Sequence, residues 1–226
     1  MKMKIKHILY SAVLSLCLAA CGGGNASSEP PNTISLYGDS YTNSDPLTSS
    51  IVAKQLPTIV IRNFAVGGAT ADQVVAGVWR PDQVLANPAF ETFDKQMSVI
   101  ESKDIVVFRY GIADIVGNVD SSFKKNLSTL IEKAKYSGRS VIIVNIVKIP
   151  ETTVFPKGAT DKVLVLNDIM KELSGTYNVP LIDLYNNTTI TLDDILSDQL
   201  HLNPSTTIRV ADQIGVELKR ILNIGR

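Results

Sequence analysis

Apolar, β-rich runs recur along the chain at residues 34–37, 58–64, 104–109, 140–147 and 180–184. Between them the apolar positions switch to helical spacing. Residues 121–136 put Phe123, Leu127, Leu130, Ile131 and Ala134 on one stripe, with Ser137-Gly138 as the stop. Residues 162–177 repeat the pattern with Val163, Leu166, Ile169, Met170 and Leu173. Residues 45–55, N-capped by Ser44 or Asp45, read as a helix, and 71–79 and 81–100 as one or two more. Asn203-Pro204 opens a last helix over 205–222. The run 141–147, VIIVNIV, hardly alternates, as expected of a strand buried on both faces. Strand–helix alternation predicts an α/β domain with a parallel sheet, helices on both sides and right-handed crossovers. No internal repeat or second domain boundary is visible.

In such a fold the loops after the strands meet along one edge, where ligands bind. Gly38-Asp39-Ser40 follows the first strand, and its glycine permits a tight turn with unusual dihedrals. These three residues are also ordinary turn chemistry. Residues 63–70, NFAVGGAT, follow the second strand. Gly67-Gly68 ahead of a helix start either brings backbone N–H groups to an anion or simply makes a turn. Residues 109–114, RYGIAD, follow the third, and Asp198-Gln199-Leu200-His201 comes further on. A serine hydroxyl is a poor nucleophile until an imidazole takes its proton, and the imidazole needs a carboxylate to fix its tautomer. Ser40, His201 and Asp198 supply these types, and a spacing of three lets one short loop present the acid and the base.

The first residues read as an address. Lys2, Lys4 and Lys6 precede an apolar run to Ala20, too short for a membrane span, and Leu18-Ala19-Ala20-Cys21 follows. That ending resembles the bacterial lipobox, which implies cleavage after residue 20 and a lipid on Cys21. Residues 22–31, GGGNASSEPP, have the composition of a tether. The expected organisation is a signal peptide over 1–20, a tether over 21–32 and one domain over 33–226. With Gly22 after the cysteine, resemblance to Gram-negative lipoproteins implies a protein held on the cell envelope by its lipid anchor, at the outer membrane and facing periplasm or exterior. The leader takes three of 22 basic residues and none of the 22 acidic ones, leaving 19 against 22 and a formal charge of −3. That balance does not suggest a nucleic-acid partner. Cys17 and His7 leave with the leader, so the domain has no cysteine and only His201, which excludes disulfides and multi-histidine zinc sites.

The motif set resembles the SGNH/GDSL hydrolase superfamily. Residues 38–42, GDSYT, are similar to its first block, with Ser40 as nucleophile. NFAVGGAT is similar to the second, in which Gly68 lends its N–H to the oxyanion hole beside that of Ser40. Residues 198–204, DQLHLNP, resemble the last, with Asp198 and His201. The resemblance implies a flavodoxin-like three-layer α/β/α sandwich with five parallel strands, and ester or thioester hydrolysis through an acyl-enzyme without metal or other cofactor. The chain departs from the pattern at the third block. There the family has Gly-x-Asn-Asp, whose Asn donates to the oxyanion, and this chain has Gly111-Ile112-Ala113-Asp114. Asn145, Asn118, Arg109 and Tyr110 carry donors that could replace the amide, and Asp114 reads as a helix cap or loop tie. Three functions follow: a serine esterase, a non-catalytic or weakly active envelope lipoprotein of this fold that binds a ligand, and an acyltransferase using the same triad. The expected substrate is a small ester or an acylated carbohydrate or lipid, with short acyl or O-acetyl groups favoured because no long apolar insertion forms a lid. Trp79 reads either as a cleft wall or as packing, and residues 150–160 either as a wall of the site or as a plain connection.

Overall fold

The structure is a computed structural model that describes residues 33–43, 48, 51–77, 92–100, 103–118, 120–155 and 157–224. Cys21, Ser44, Asp45, Trp79, the leader and the tether lie outside the described residues, as do 45–47 and 49–50 of the helical reading over 45–55 and 81–91 of the one over 81–100.

Five parallel strands form one sheet in the order β2-β1-β3-β4-β5. They are β1 (Thr33–Gly38), β2 (Val60–Asn63), β3 (Ile105–Arg109), β4 (Ser140–Val144) and β5 (Leu181–Ile182). This is the flavodoxin-like order, with its switch point between β1 and β3. Their pairing runs from Ile34 opposite Ile105 to Gly38 opposite Arg109, so both strands end at one level. Every residue of β1 and β3 is buried, whereas edge strand β2 is partly exposed. The central strands are buried throughout because helices cover both their faces. On one side the helices Ala71–Ala76, Phe123–Tyr136 and Ala159–Tyr177 pack on one another. On the other, Pro204–Ile221 packs against Ile51–Gln55, a single π-helical turn closed by Leu56 N donating to Ile51 O at 3.1 Å.

The apolar stripe Phe123, Leu127, Leu130, Ile131 and Ala134 is fully buried, and Gly138 stops its helix at φ 81°. Each such aliphatic side chain contributes about 1.5–3 kcal/mol by leaving water. Tyr37, Phe64, Phe93 and Phe108 form an aromatic cluster beneath β1, with Tyr37 stacked on Phe64 at 5.1 Å and edge-on to Phe93 at 5.1 Å.

Several boundaries move from their sequence positions. The fourth strand stops at Val144, and the Asn145 side chain then bonds to the segment that follows β5. Its carbonyl accepts Leu184 N (2.6 Å) and Tyr185 N (3.1 Å), and its amide donates to Asp183 (2.8 Å). The fifth strand shrinks to two residues, and Asp183 caps a short helix, Leu184–Asn187. The helix read over 71–79 ends at Ala76, where Gly77 takes φ 68°. The one read from 162 starts at Ala159, after Gly158 at φ 88°. Pro204 is the first residue of the last helix, and the Asn203 side chain caps it by accepting Thr206 N at 2.9 Å.

Candidate active site

The turn carrying Ser40 is built from the residue before it. Asp39 O accepts the N–H groups of Thr42 and Asn43, each at 3.0 Å, and closes the turn. The buried Asp39 carboxylate accepts Tyr41 N (3.0 Å) through one oxygen, and Ile112 N (3.0 Å) and Ala113 N (3.2 Å) through the other. Asp39 thereby ties the Ser40 turn to the Ile112–Val116 helix after β3. Burial raises its pKa, against Arg109 and those three N–H groups, which act to lower it. Gly38 does not take the unusual dihedrals the sequence suggested, as its φ is not positive. It is required by close approach: a Cβ there stands 2.3 Å from both Arg109 O and Thr42 Oγ1.

The acid and base come from one pinched loop. Ile195 and Leu202 pair in an antiparallel bridge, and Leu196 N donates to His201 O at 2.7 Å. Inside it, Asp198 Oδ1 accepts Leu200 N (3.0 Å) and His201 N (2.9 Å), while Oδ2 lies 2.7 Å from His201 Nδ1. One carboxylate thus shapes the turn and orients the imidazole, which is the physical content of the three-residue spacing. With the proton on Nδ1, Nε2 is left as an acceptor. Partial burial opposes the Asp198 charge, but the Leu200 N–H and the His201 ring and N–H outweigh it and hold its pKa below the usual carboxylate range.

Two neighbours grip this loop. Tyr41, next to Ser40, donates its hydroxyl to Leu200 O at 2.5 Å, and its ring lies 6.2 Å from the His201 ring. The buried Arg109 fixes Tyr41 by donating to its carbonyl at 2.6 Å, with the guanidinium carbon 5.7 Å from the ring centroid. From the other side, Thr152 Oγ1 donates to Gln199 O (2.5 Å) and Thr153 N to Gln199 Oε1 (3.1 Å), holding Gln199 at φ 61°. Thr152 and Thr153 therefore brace the Asp198–His201 loop through Gln199. Tyr41→Phe removes the hydroxyl bond and keeps the ring. The expected result is a loss of about 1 kcal/mol in urea unfolding, because the Asp198–His201 loop is held less tightly.

Ser40, Asn43, Gly67 and His201 line one cleft of about 310 Å³, with Tyr41, Leu196 and Leu202 among its other walls. Gly68, at φ 74°, belongs to the loop that follows β2, where Ala69 N donates to Val66 O at 3.0 Å. Asp114 ties that loop's helix down: its Oδ1 accepts Ala71 N at 3.0 Å. None of the four donors weighed as substitutes at Ala113 lines this cleft. Asn145 is engaged at β5, Asn118 accepts from Lys162 at 3.0 Å, Arg109 holds Tyr41, and Tyr110 is buried. Ala113 itself is half-buried and spends its N–H on Asp39. Sequence reasoning passed over Asn43, Tyr41 and Gln199. For Asn43 the available signal was an amide three residues past the candidate nucleophile.

Solved structures of similar fold include a psychrotrophic esterase, EstA, from Pseudoalteromonas sp., at 17% identity and TM-score 0.62 over 85% of this chain and 99% of that one. A lipase/acylhydrolase from Enterococcus faecalis matches at 19% and 0.59, over 84% and 96%. An acetyl xylan esterase, AlAXEase, matches at 18% and 0.60, over 82% and 99%. At these identities the likeness is one of fold. No curated protein matches the chain in sequence. The sequence pattern of the family described as GDSL-like Lipase/Acylhydrolase matches residues 36–206, a span that holds all three chemical loops, and the chain belongs to that family of hydrolases.

Proposed function

We propose that the protein is a serine esterase that cleaves carboxylic esters with short acyl groups through Ser40, His201 and Asp198. The observation that carries this reading is a single cleft walled by both Ser40 and His201, with Asp198 bound to the ring nitrogen that leaves Nε2 available. In the first step Ser40 Oγ bonds to the ester carbonyl carbon as its proton passes to His201 Nε2, and the carbonyl electron pair moves onto oxygen. The N–H groups of Ser40 and Gly68 hold that oxyanion. As the carbon–oxygen bond to the alcohol breaks, His201 returns the proton to the leaving oxygen. Water then attacks the acyl-enzyme by the same route in reverse.

The volume of the cleft, about 310 Å³, is at the small end for ligand pockets, and Leu196, Leu202 and Pro204 give it an apolar side. Both features support a short acyl group. The acetyl xylan esterase among the structures of like fold makes O-acetylated carbohydrate a natural class to try. The lipobox-like sequence at Cys21 supports lipid anchoring at the cell envelope, which globomycin-sensitive processing or palmitate labelling lost in Cys21→Ser checks.

A fluorophosphonate probe tests the reaction. Its phosphorus accepts the serine oxygen and loses fluoride, so only an activated serine is labelled. The expected result is one label, on Ser40, absent from Ser40→Ala. Labelling that persists in that variant shows a different nucleophile. Rates on p-nitrophenyl acetate and palmitate then test the acyl preference, and faster turnover of palmitate overturns the short-acyl reading.

A further inference from the structure

Asn43 is the side-chain amide in the wall of the cleft that holds Ser40 and His201. Its backbone is fixed, because its N–H closes the Ser40 turn onto Asp39 O at 3.0 Å. Its side chain is exposed, so the amide faces open space. Across from it stands Gly67, in the loop whose next residue is Gly68. A Cβ built on Gly67 lies 3.8 Å from Asn43 Nδ2. The missing side chain therefore leaves a gap about one atom wide between the amide and the loop, beside the serine. An oxygen in that gap comes within hydrogen-bond distance of Nδ2 after a small rotation of the side chain.

We propose that the Asn43 amide donates a hydrogen bond to the oxyanion of the tetrahedral intermediate formed at Ser40, in addition to the N–H groups of Ser40 and Gly68. The proposal rests on the serine esterase reading and assigns a further catalytic residue to it. The ester carbonyl oxygen gains a full charge only when Ser40 Oγ has bonded to the carbon. A fixed dipole beside that oxygen stabilises the transition state more than the bound ester. The role also accounts for how the site works with a methyl group at Ala113, since the amide comes from the turn of the nucleophile itself.

Asn43→Ala removes the donor from an exposed position and leaves the fold intact. The expected result is a kcat on p-nitrophenyl acetate about 100-fold lower, with KM changed less than about threefold because the neutral ester gains little from the amide. Binding of a trifluoromethyl ketone, which adds Ser40 to give a charged tetrahedral adduct, weakens in proportion to kcat. Asn43→Asp falls at least as far, since a carboxylate repels the oxyanion. Gly67→Ala also loses turnover without loss of stability, because its methyl group fills the gap at an ordinary contact distance. Asn43→Ala with kcat and ketone affinity near those of the parent overturns the role of Asn43 and leaves the esterase reading standing. A parent protein that neither turns over esters nor takes the fluorophosphonate probe on Ser40 overturns both.

Discussion

Ser40→Ala and His201→Ala each lower kcat on p-nitrophenyl acetate by about 10⁴-fold or more, and the double variant falls no further than the worse of the two. The non-additivity follows from the proposed esterase reading, in which Ser40 and His201 share one step. On that reading the serine hydroxyl gains nucleophilicity only by giving its proton to Nε2, and Nε2 has no catalytic work without that proton. Removing either group removes the same step. The activity expected to remain comes from substrate held beside the proposed N–H donors of residues 40 and 68, which both variants keep. Asp198→Asn has a smaller effect on folding than its backbone bonds suggest, because the amide oxygen can still accept Leu200 N and His201 N. What it loses is the acceptor opposite His201 Nδ1, and with it the tautomer that leaves Nε2 free. Steady-state rates for the four proteins, with circular dichroism to confirm folding, check the pattern. Full additivity in the double variant shows that Ser40 and His201 do not act in one step.

Asp114→Asn raises stability at pH 8 and changes it little at pH 4. The Asp114 side chain is fully buried; Oδ1 accepts Ala71 N, and Oδ2 is buried with no hydrogen-bond partner among the described residues. Burial pushes its pKa from 3.8 up to about 7, opposed by the Ala71 N–H and reinforced by Asp39 and Asp72. The unfolded chain releases this proton near pH 4, while the folded chain keeps it to about pH 7. Across that window the folded state binds more protons, so stability falls as pH rises. The favourable contribution is whole below about pH 4 and gone above about pH 7, a span of about 4 kcal/mol at most. Asparagine keeps an oxygen for Ala71 N and carries no charge to bury, which removes this slope. Asp39, also buried with a raised pKa, adds a slope of the same sign to both proteins, and the difference between them reads Asp114 together with its coupling to Asp39. Urea midpoints at pH 4, 6 and 8 measure it. Parallel curves for the two proteins show that Asp114 does not titrate in this range. Because Asp114 anchors the helix that follows Gly68, the same variant tests whether that anchor needs a charge or only an acceptor.

The local pattern of this chain determined the alternating elements, the parallel sheet and the stripe from Phe123 to Ala134. Periodicity and burial are both set by which residues are apolar, and a sheet covered on two faces leaves few other arrangements. The sequence also marked Ser40, Asp198 and His201, because their chemistry needs those residue types and Asp198 shapes its own turn within three residues. Tertiary structure decided what lies between these segments. That Gly38 is needed for closeness to Arg109 O depends on β1 pairing with β3, about seventy residues away in the chain. That Tyr41 holds Leu200 O, and Thr152 and Thr153 hold Gln199, depends on loops that meet only once the sheet has formed. The meeting of Asn43 and Gly67 across the cleft is of the same kind. The methyl group at Ala113 could be read as a missing donor from the chain alone, and Asn43 as an amide close after Ser40, but the meeting of that amide with Gly67 across the cleft could not. That meeting is set by long-range packing, which leaves no periodic signature in a sequence.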